Sequence, residues 1–269
     1  MRTVRTEVRP IQILPETAMP SPLDLLLDPI SLTVFAIYGA LILWEAVFPA
    51  RSLPRVRYWR WLGLAAFGVY FLLSSYLPML WGDWLAPLRL ADLSGLGTWG
   101  GAAVGLLVYE AGAYAYHRAI HASDVLWRVC HQMHHSAERL DTFGAFWFSP
   151  FDMVGWTLVS SVALTVVGLS AEATTVVMLS LTLLAIFQHA NVRTPRWLGY
   201  FVQRPESHSF HHERGVHARN YADLPVFDLV FGTFLNPRGF ADETGFYDGA
   251  SRRVGAMLAF RNVVTTAHN

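Results

Sequence analysis

Five apolar segments, each close to the length of one membrane crossing, constrain this fold more than any other feature of the sequence. They cover residues 30–48, 61–81, 98–116, 151–169 and 173–187. Only 15% of the 269 residues are charged, whereas soluble domains average about 25%. A helix needs about 20 apolar residues to cross a bilayer, so the pattern predicts an all-α bundle of about four or five transmembrane helices.

The arginines indicate how this bundle is oriented. Basic residues concentrate near helix ends on the cytoplasmic side of a membrane. With five crossings, ten arginines lie near helix ends on one side and only Arg89 lies near those on the other. The ten are Arg51, Arg55, Arg57, Arg60, Arg118, Arg128, Arg139, Arg193, Arg196 and Arg204. We therefore expect an integral membrane protein, in the cytoplasmic membrane if it is bacterial, whose arginine-rich side faces the cytoplasm.

Three regions follow from the same pattern. Residues 1–28 contain four prolines and no long apolar run, which predicts a flexible N-terminal tail. Residues 29–249 form the membrane domain, because no polar linker interrupts them. Residues 250–269 alternate arginine with apolar residues in their first part. That part is expected to be an amphipathic helix, lying on the membrane surface or packing against the rest of the domain.

Nine of the eleven histidines lie in four tight groups on the arginine-rich side. They are His117 and His121; His131, His134 and His135; His189; and His208, His211 and His212. Histidines four positions apart project from one side of a helix. Clustered imidazoles repel one another when protonated, and a metal ion requires their neutral form. Two HxxHH boxes and one HxxxH pair therefore predict a cytoplasmic, histidine-rich helical metal domain that caps the bundle.

The number of histidines indicates more than one ion. Imidazole binds zinc, copper, iron and nickel, but a tetrahedral zinc site takes only four ligands. Nine imidazoles suit two five- or six-coordinate ions, and two irons can share the reduction of O2 as a co-substrate. We expect iron, with zinc as a substitute in purified protein. His217 is a candidate further ligand or a partner of one, whereas Cys130 is expected to be a small buried side chain.

These boxes, in this order, resemble the fatty acid hydroxylase/sterol desaturase superfamily of integral-membrane di-iron oxygenases. Glu110 to His121 is similar to its acidic-x6-HRxxH segment, and residues 131–136 to its HxxHHS box. Residues 188–191 are similar to its HxN segment, and residues 208–212 with the stretch 220–233 to its last box and tail. The resemblance covers roughly residues 100–237. The chain departs from the pattern at residues 146–150, which keep only the proline of a histidine-proline pair, and at Ala222, which replaces a glycine.

Four polar residues near the boxes are candidates for catalytic roles. Glu110 is an acid inside an apolar segment, which favours a functional role, but two helical turns, about 10 Å, separate it from His117. It would orient a ligand imidazole or relay protons, or simply pair with a tyrosine or the backbone. Tyr114, between Glu110 and His117, would link the two or pack at the interface. Asn191 and Asn220 would fix water and histidine tautomers, or cap turns.

The resemblance implies O2-dependent hydroxylation of a fatty-acyl or sterol-like lipid drawn from the bilayer. Desaturation of the same substrate class is an alternative. Two electrons are needed per turnover, and the sequence has no flavin fingerprint, CxxC pair or haem domain. A separate donor is therefore expected, such as a cytochrome b5-like protein or a ferredoxin with its reductase. The zero net charge gives no argument for nucleic acid. A non-enzymatic membrane protein that binds metal or haem, or transports metal, is the alternative of a different class.

Overall fold

Helices joined by loops make up the structure, a computed structural model that describes residues 19–265. Within that range there is no β-strand, so the predicted all-α fold class is confirmed. In chain order the helices are α1 (Pro22–Leu27), α2 (Pro29–Val47), α3 (Trp59–Leu85), α4 (Gly97–Ala122), α5 (Asp124–Leu126), α6 (Gln132–His135), α7 (Pro150–Val167), α8 (Ala171–His189), α9 (Pro205–His211), α10 (Val226–Phe231) and α11 (Val254–Leu258). Most of the predicted N-terminal tail, residues 1–18, lies outside the described residues, as do residues 266–269.

The five long helices, α2, α3, α4, α7 and α8, occupy the five apolar segments of the sequence. Polar side chains fix where three of them begin, because each accepts a hydrogen bond from an N–H group that has no partner within the helix. Asp28 caps α2, Ser149 caps α7 and Ser170 caps α8. Proline occupies the first position of α2 and of α7, where its missing N–H costs nothing.

Four of these helices are long and apolar enough to cross a membrane: α2, α3 with its extension to Leu88, α7 and α8. The predicted third crossing, α4, is 26 residues long but is not among them. It lies inside the bundle, packed against both α7 and α8. Gly105 permits this close approach, because a Cβ atom there would lie 2.6 Å from Leu169 and 2.9 Å from Val177. The described bundle thus has four apolar candidate spans around a less apolar central helix.

Loop contacts define the two ends of the bundle. At one end, Leu90 N donates to Val166 O at 3.0 Å, next to the tight turn that joins α7 and α8 as a helical hairpin. Gly168 makes this turn in the left-handed region, with φ of +54°. At the opposite end, Ala50 N donates to Asn191 O at 2.8 Å. All four predicted histidine groups lie at this second end, which we call the histidine end.

Residues 250–264, expected to form one amphipathic helix, contain a 3-10 turn (Ala250–Arg252) and the five-residue α11. Two of their apolar side chains, Met257 and Val263, are buried in a cluster with Trp59 and Met133, whereas Leu258 and Phe260 are exposed. Gln132 in α6 donates to Arg261 O and accepts from Val263 N. These contacts match the second arrangement considered for this segment, in which it packs against the histidine-bearing part of the domain.

Candidate metal centre

All nine predicted histidines converge at the histidine end, where they form two sets. The first set is His117, His121, His131, His135 and His211. The second set is His134, His189, His208 and His212. Within each set, one ring nitrogen of every member lies within 4.8 Å of those of the others, and all nine rings are buried except that of His121, which is half-buried. Each set could hold a metal ion.

The two HxxHH boxes are shared between the sets in a crossed manner. In residues 131–135 the first and last histidines join the first set, and the one between them joins the second. In residues 208–212 the first and last join the second set, and the one between joins the first. Helical positions i and i+4 differ by about 40° around the axis, whereas i+3 and i+4 differ by about 100°. One box can therefore reach two ions on adjacent sides of its helix.

Backbone and carboxylate acceptors fix the tautomers of the first set. His117 Nδ1 lies 2.8 Å from Tyr221 O, His131 Nδ1 lies 2.6 Å from Asp152 Oδ2, and His211 Nδ1 lies 2.7 Å from Arg219 O. These acceptors carry no proton, so each Nδ1 is the donor and the neutral ring presents a lone pair at Nε2. His117 Nε2 nevertheless lies 2.9 Å from His131 Nε2 and 3.1 Å from His211 Nε2. Lone pairs at this distance repel each other unless a cation lies between them, so this arrangement fits a bound metal ion.

Nitrogen separations in both sets fit a shared metal ion. In the second set, His189 Nε2 lies 3.2 Å from His134 Nε2 and 2.9 Å from His208 Nε2. Two nitrogens bound at about 2.1 Å lie ~3.0 Å apart at a right angle and ~3.4 Å apart at a tetrahedral angle. The observed separations are closer to the right-angle value. These separations are compatible with a shared ion in each set.

Burial keeps these imidazoles in the form that binds metal. Burial, and then the neighbouring imidazoles, lower the pKa of His134, His135 and His212 well below its ordinary value near 6.5. The same causes lower the pKa of His208 and His211. Removing an imidazolium from water is costly, and a second positive ring nearby adds repulsion. At neutral pH the rings are therefore uncharged and their nitrogens are available as ligands.

The two sets adjoin each other and share one cavity. The rings of His135 and His212, from different sets, stack with centroids 4.2 Å apart. Beside them lies a cavity of about 70 Å3 whose wall includes histidines of both sets. The rest of the wall is largely aromatic or aliphatic, with Phe146, Phe148 and Trp156 among its members. An apolar group in this cavity would lie next to both candidate metal sites.

Glu110 acts on the loop after the last box and not on a histidine. It is fully buried, and its Oε2 accepts hydrogen bonds from Asp223 N at 3.0 Å and Leu224 N at 3.2 Å. The same loop provides Tyr221 O, the acceptor for His117 Nδ1. Glu110 thus joins α4 to the loop that orients His117, which is the backbone pairing considered from the sequence.

Tyr114, Asn191 and Asn220 also make contacts that hold the framework together. The Tyr114 hydroxyl lies 3.1 Å from Thr233 Oγ1, and its ring stacks on Phe231. Asn191 Nδ2 donates to Arg51 O, and Asn220 Nδ2 donates to Ser207 O and Leu235 O. In the described structure none of the three hydrogen-bonds to a histidine ring. We therefore assign them positioning roles in the loops around the two sets.

His217 and Cys130 lie beside the sets and not in them. His217 Nδ1 is 3.1 Å from His135 Nδ1, so it supports a member of the first set. Cys130 is buried, which raises the pKa of its thiol to about 11, and it belongs to neither set. Arg204, one of the ten arginines near helix ends, is itself only 1% exposed. It pairs with Glu206 inside the domain.

Asp152, which the sequence analysis did not single out, is the acceptor for His131. It is fully buried in the first turn of α7. An acid in an apolar segment is a functional candidate by default, and the rule that selected Glu110 would also have selected Asp152. Gln188, Gln203 and Asp223 were also missed. Gln203 Nε2 donates to Gln188 Oε1, and Gln188 Nε2 donates to Asp223 Oδ1, along the cavity wall.

Comparison with known proteins finds a matching family and a curated relative. The family model described as Fatty acid hydroxylase matches residues 102–233. This match and a curated relative support the fatty acid hydroxylase superfamily as the family of this chain. A curated relative, the ornithine lipid hydroxylase OlsE of Rhizobium tropici, is 29% identical over 162 residues, which cover 58% of this chain and 48% of that protein. The chain thus spans about half the length of this relative, and no solved structure matches it.

The part of the chain that matches the family model contains the whole candidate centre. Residues 102–233 include all nine histidines and Asp152. The helices α2 and α3 precede the matched part, and the C-terminal segment that packs on Gln132 follows it. The four apolar helices and the match to this family together support an integral membrane protein.

Proposed function

We propose that this chain is a membrane-bound di-iron oxygenase that uses O2 to hydroxylate a C–H bond of a membrane lipid. The observation that carries this proposal is the pair of histidine sets whose ring nitrogens converge beside one largely apolar cavity. A metal centre next to an apolar space suits a reaction at an unactivated hydrocarbon. The family match and the name of the relative support a lipid hydroxylase.

Iron is the metal that this chemistry requires. The five histidines of the first set and the four of the second would each hold one ion, and imidazole is a common ligand of iron. Two bound irons supply the electron-transfer capacity for reducing O2, which zinc lacks. The overall reaction consumes a C–H bond, O2, two electrons and two protons, and it yields the alcohol and water.

The protein's own residues hold the rings and keep water out. Asp152 and the carbonyls of Tyr221, Arg219 and Ala185 fix four imidazoles through Nδ1, and such partners orient the ligands of a metal. Phe148 lies against His134 with ring centroids 4.4 Å apart. Aromatic walls of this kind exclude water from the space in which a substrate carbon would sit.

We propose an acyl lipid as the substrate, with its polar head at the histidine end and its hydrocarbon in the bilayer. The relative is named an ornithine lipid hydroxylase, which supports a lipid as the substrate. The electrons would come from a separate protein, either cytochrome b5-like or a ferredoxin with its reductase. The arginines near helix ends favour a cytoplasmic histidine end, where such a donor could dock.

Lipid analysis of cells with and without the gene, grown under isotopically labelled O2, tests this proposal. We expect a lipid that gains one labelled oxygen atom in cells with the intact gene, and none with His135→Ala. A lipid that instead loses two hydrogen atoms would identify a desaturase. An unchanged lipid profile, with an active electron donor present, would refute an oxygenase of either kind.

A further inference from the structure

The cavity beside the histidines adjoins a groove that leads into the apolar bundle. Tyr70 and Phe146 line both the cavity and a second space bounded by α2, α3 and α8. That second space shares Ser74, Ser75 and Met178 with a third, which runs between α3, α7 and α8. We call the second and third spaces together the lateral groove.

A stacked aromatic pair separates the lateral groove from the metal cavity. The rings of Tyr70 and Phe146 are 5.0 Å apart and inclined by only 21°. Tyr70 comes from α3, whereas Phe146 comes from the loop between the first HxxHH box and α7. Since each ring lines the spaces on both sides, a change of their rotamers would join the two spaces.

The wall of the lateral groove is apolar in effect, although it contains several hydroxyl groups. Ser74 Oγ and Ser75 Oγ both donate to Phe71 O, and Thr182 Oγ1 donates to Met178 O. Ser160 and Ser161 likewise donate to the carbonyl of Thr157. Because these donors are bound to backbone within their own helices, they offer little to a polar ligand. A hydrocarbon chain is the occupant that such a wall fits.

The groove is long enough for an acyl chain. It follows α3 from Tyr70 to Leu85, which at 1.5 Å per residue is about 22 Å. One leaflet contributes about half of the ~30 Å hydrocarbon core of a bilayer. Pro78, which lines the groove, cannot donate to the carbonyl of Ser74, and this interruption leaves α3 free to bend around a ligand.

We propose that the lateral groove binds the acyl chain of the substrate lipid and that the Tyr70–Phe146 pair controls its access to the metal cavity. This inference rests on the proposed function. The tail of the lipid would lie along α3, and its head end would lie at the histidine end. The carbon presented to the metal centre would then be set by how many carbons of the chain lie on the cavity side of the aromatic pair. Tyr70 and the rest of α3 lie outside the residues that match the family model.

Photo-crosslinking tests the groove without requiring activity. The full chain in lipid nanodiscs would be irradiated with a phospholipid that carries a diazirine near its acyl methyl end, and labelled peptides would be mapped by mass spectrometry. We expect label on the groove-facing residues of α3 and α8. Ser74→Trp should fill the groove and reduce this label about fivefold. Val69→Trp, on the exposed side of the same helix, is the matched control and should leave it unchanged.

Equal labelling of the two tryptophan variants, or label confined to the outer face of the bundle, would overturn the proposal. A second measurement uses the products. Phe146→Ala should change the ratio of acyl-chain lengths or positions among the oxidised lipids about threefold, with the metal content unaltered. Unaltered ratios in both Phe146→Ala and Ser74→Trp would count against the groove. If the intact protein oxidises no lipid, the proposed function fails, and the crosslinking result still decides the groove.

Discussion

The two histidine sets differ in what holds their rings. In the first set, Asp152 and two backbone carbonyls accept from the Nδ1 atoms of three rings. In the second set only His189 has such an acceptor, the carbonyl of Ala185. The Nδ1 atoms of His134, His208 and His212 have no hydrogen-bond partner among residues 19–265.

This difference predicts two unequal metal sites. An imidazole whose Nδ1–H is held by a carboxylate or carbonyl has a fixed orientation and is a stronger donor at Nε2. The first set is therefore organised before the metal binds. The second set depends more on packing, such as the contact of His134 with Phe148. We expect the first ion to bind more tightly, although both ions are needed for reaction with O2.

The largest effect should come from removing one ligand of either set. His211→Ala in the first set and His212→Ala in the second should each reduce product formation by more than about 100-fold, because neither ion alone completes the centre. Metal analysis of the purified variants should give about one iron per chain in place of about two. A variant of either set that keeps its activity would show that the two sets do not act together.

The charge of Asp152 should matter mainly to the first site. Asp152→Asn keeps the shape of the side chain but removes the negative charge beside His131 Nδ1. Iron affinity of the first site should fall about 10- to 100-fold, as measured by competition with a chelator. Asp248→Asn, at a residue with 89% of its side chain exposed, is the control and should bind iron normally. Equal iron affinities of Asp152→Asn and the unaltered protein would show that the hydrogen bond to Asp152 is not what makes the first site bind more tightly.

Chelator kinetics should resolve the two ions directly. The iron-loaded protein should lose its metal in two phases that differ about tenfold in rate, because the Nδ1 atoms of the first set have more hydrogen-bond acceptors than those of the second. In His212→Ala, where the second set is incomplete, only the slow phase should remain. A single phase in the intact protein would indicate that the two sets bind with similar strength.

Acid should affect the two sets alike. The expected difference between the sets is therefore confined to the hydrogen bonds that the Nδ1 atoms of their rings make. Burial lowers the pKa of His135 and His211 in the first set and of His208 and His212 in the second. It also lowers the pKa of His217 to about 4. Such rings stay neutral in the folded chain, whereas the unfolded chain takes up protons below its ordinary pKa near 6.5.

The sign of the effect follows from this difference. Stability is complete above about pH 6.5 and falls at lower pH, by up to about 1.4 kcal/mol per pH unit for each such ring. For His217 this loss continues down to its pKa of about 4. The Tm of the metal-free protein in detergent should therefore fall steadily from about pH 6.5 to pH 5. A constant Tm over this range would show that the rings are accessible to water in the absence of metal.

The smallest effect should come from Tyr114, which lies in the framework around the first set. Tyr114→Phe loses one hydrogen bond to Thr233 but keeps the stacking on Phe231. The free energy of unfolding should fall by about 1 kcal/mol or less, and product formation should stay within about twofold. A large loss of activity with normal iron content would instead indicate that Tyr114 takes part in the reaction.

Local sequence rules predicted the helices and the histidine groups but not how the groups are divided. The apolar segments matched α2, α3, α4, α7 and α8 to within a few residues at most ends, because span length and capping residues are local signals. The i, i+4 rule placed His131 and His135 together. That His134 lies with His189 depends on how distant helices pack, and no local spacing contains that information. The path of residues 250–265 and the position of the lateral groove likewise depend on tertiary packing, which local spacing does not predict.

The candidate catalytic residues show that sequence rules select polar side chains but do not predict their hydrogen-bond partners. Glu110 and Asp152 are both acids in apolar segments, and the rule for intramembrane charges selects both. Only the folded chain shows that Asp152 bonds to a histidine ring, whereas Glu110 bonds to the backbone of a loop. Asn191 and Asn220 lie beside boxes in the sequence, but their side chains bond to backbone carbonyls in neighbouring segments.

The crossed sharing of the two boxes has a consequence for how the protein is made. Each set takes at least one ring from residues 208–212, so neither set is complete until that part of the chain has been synthesised and has folded back. A growing chain that ends before this box presents only part of each ligand set. If iron fills both sets, we expect the finished bundle to acquire both ions, and not the nascent chain one ion at a time.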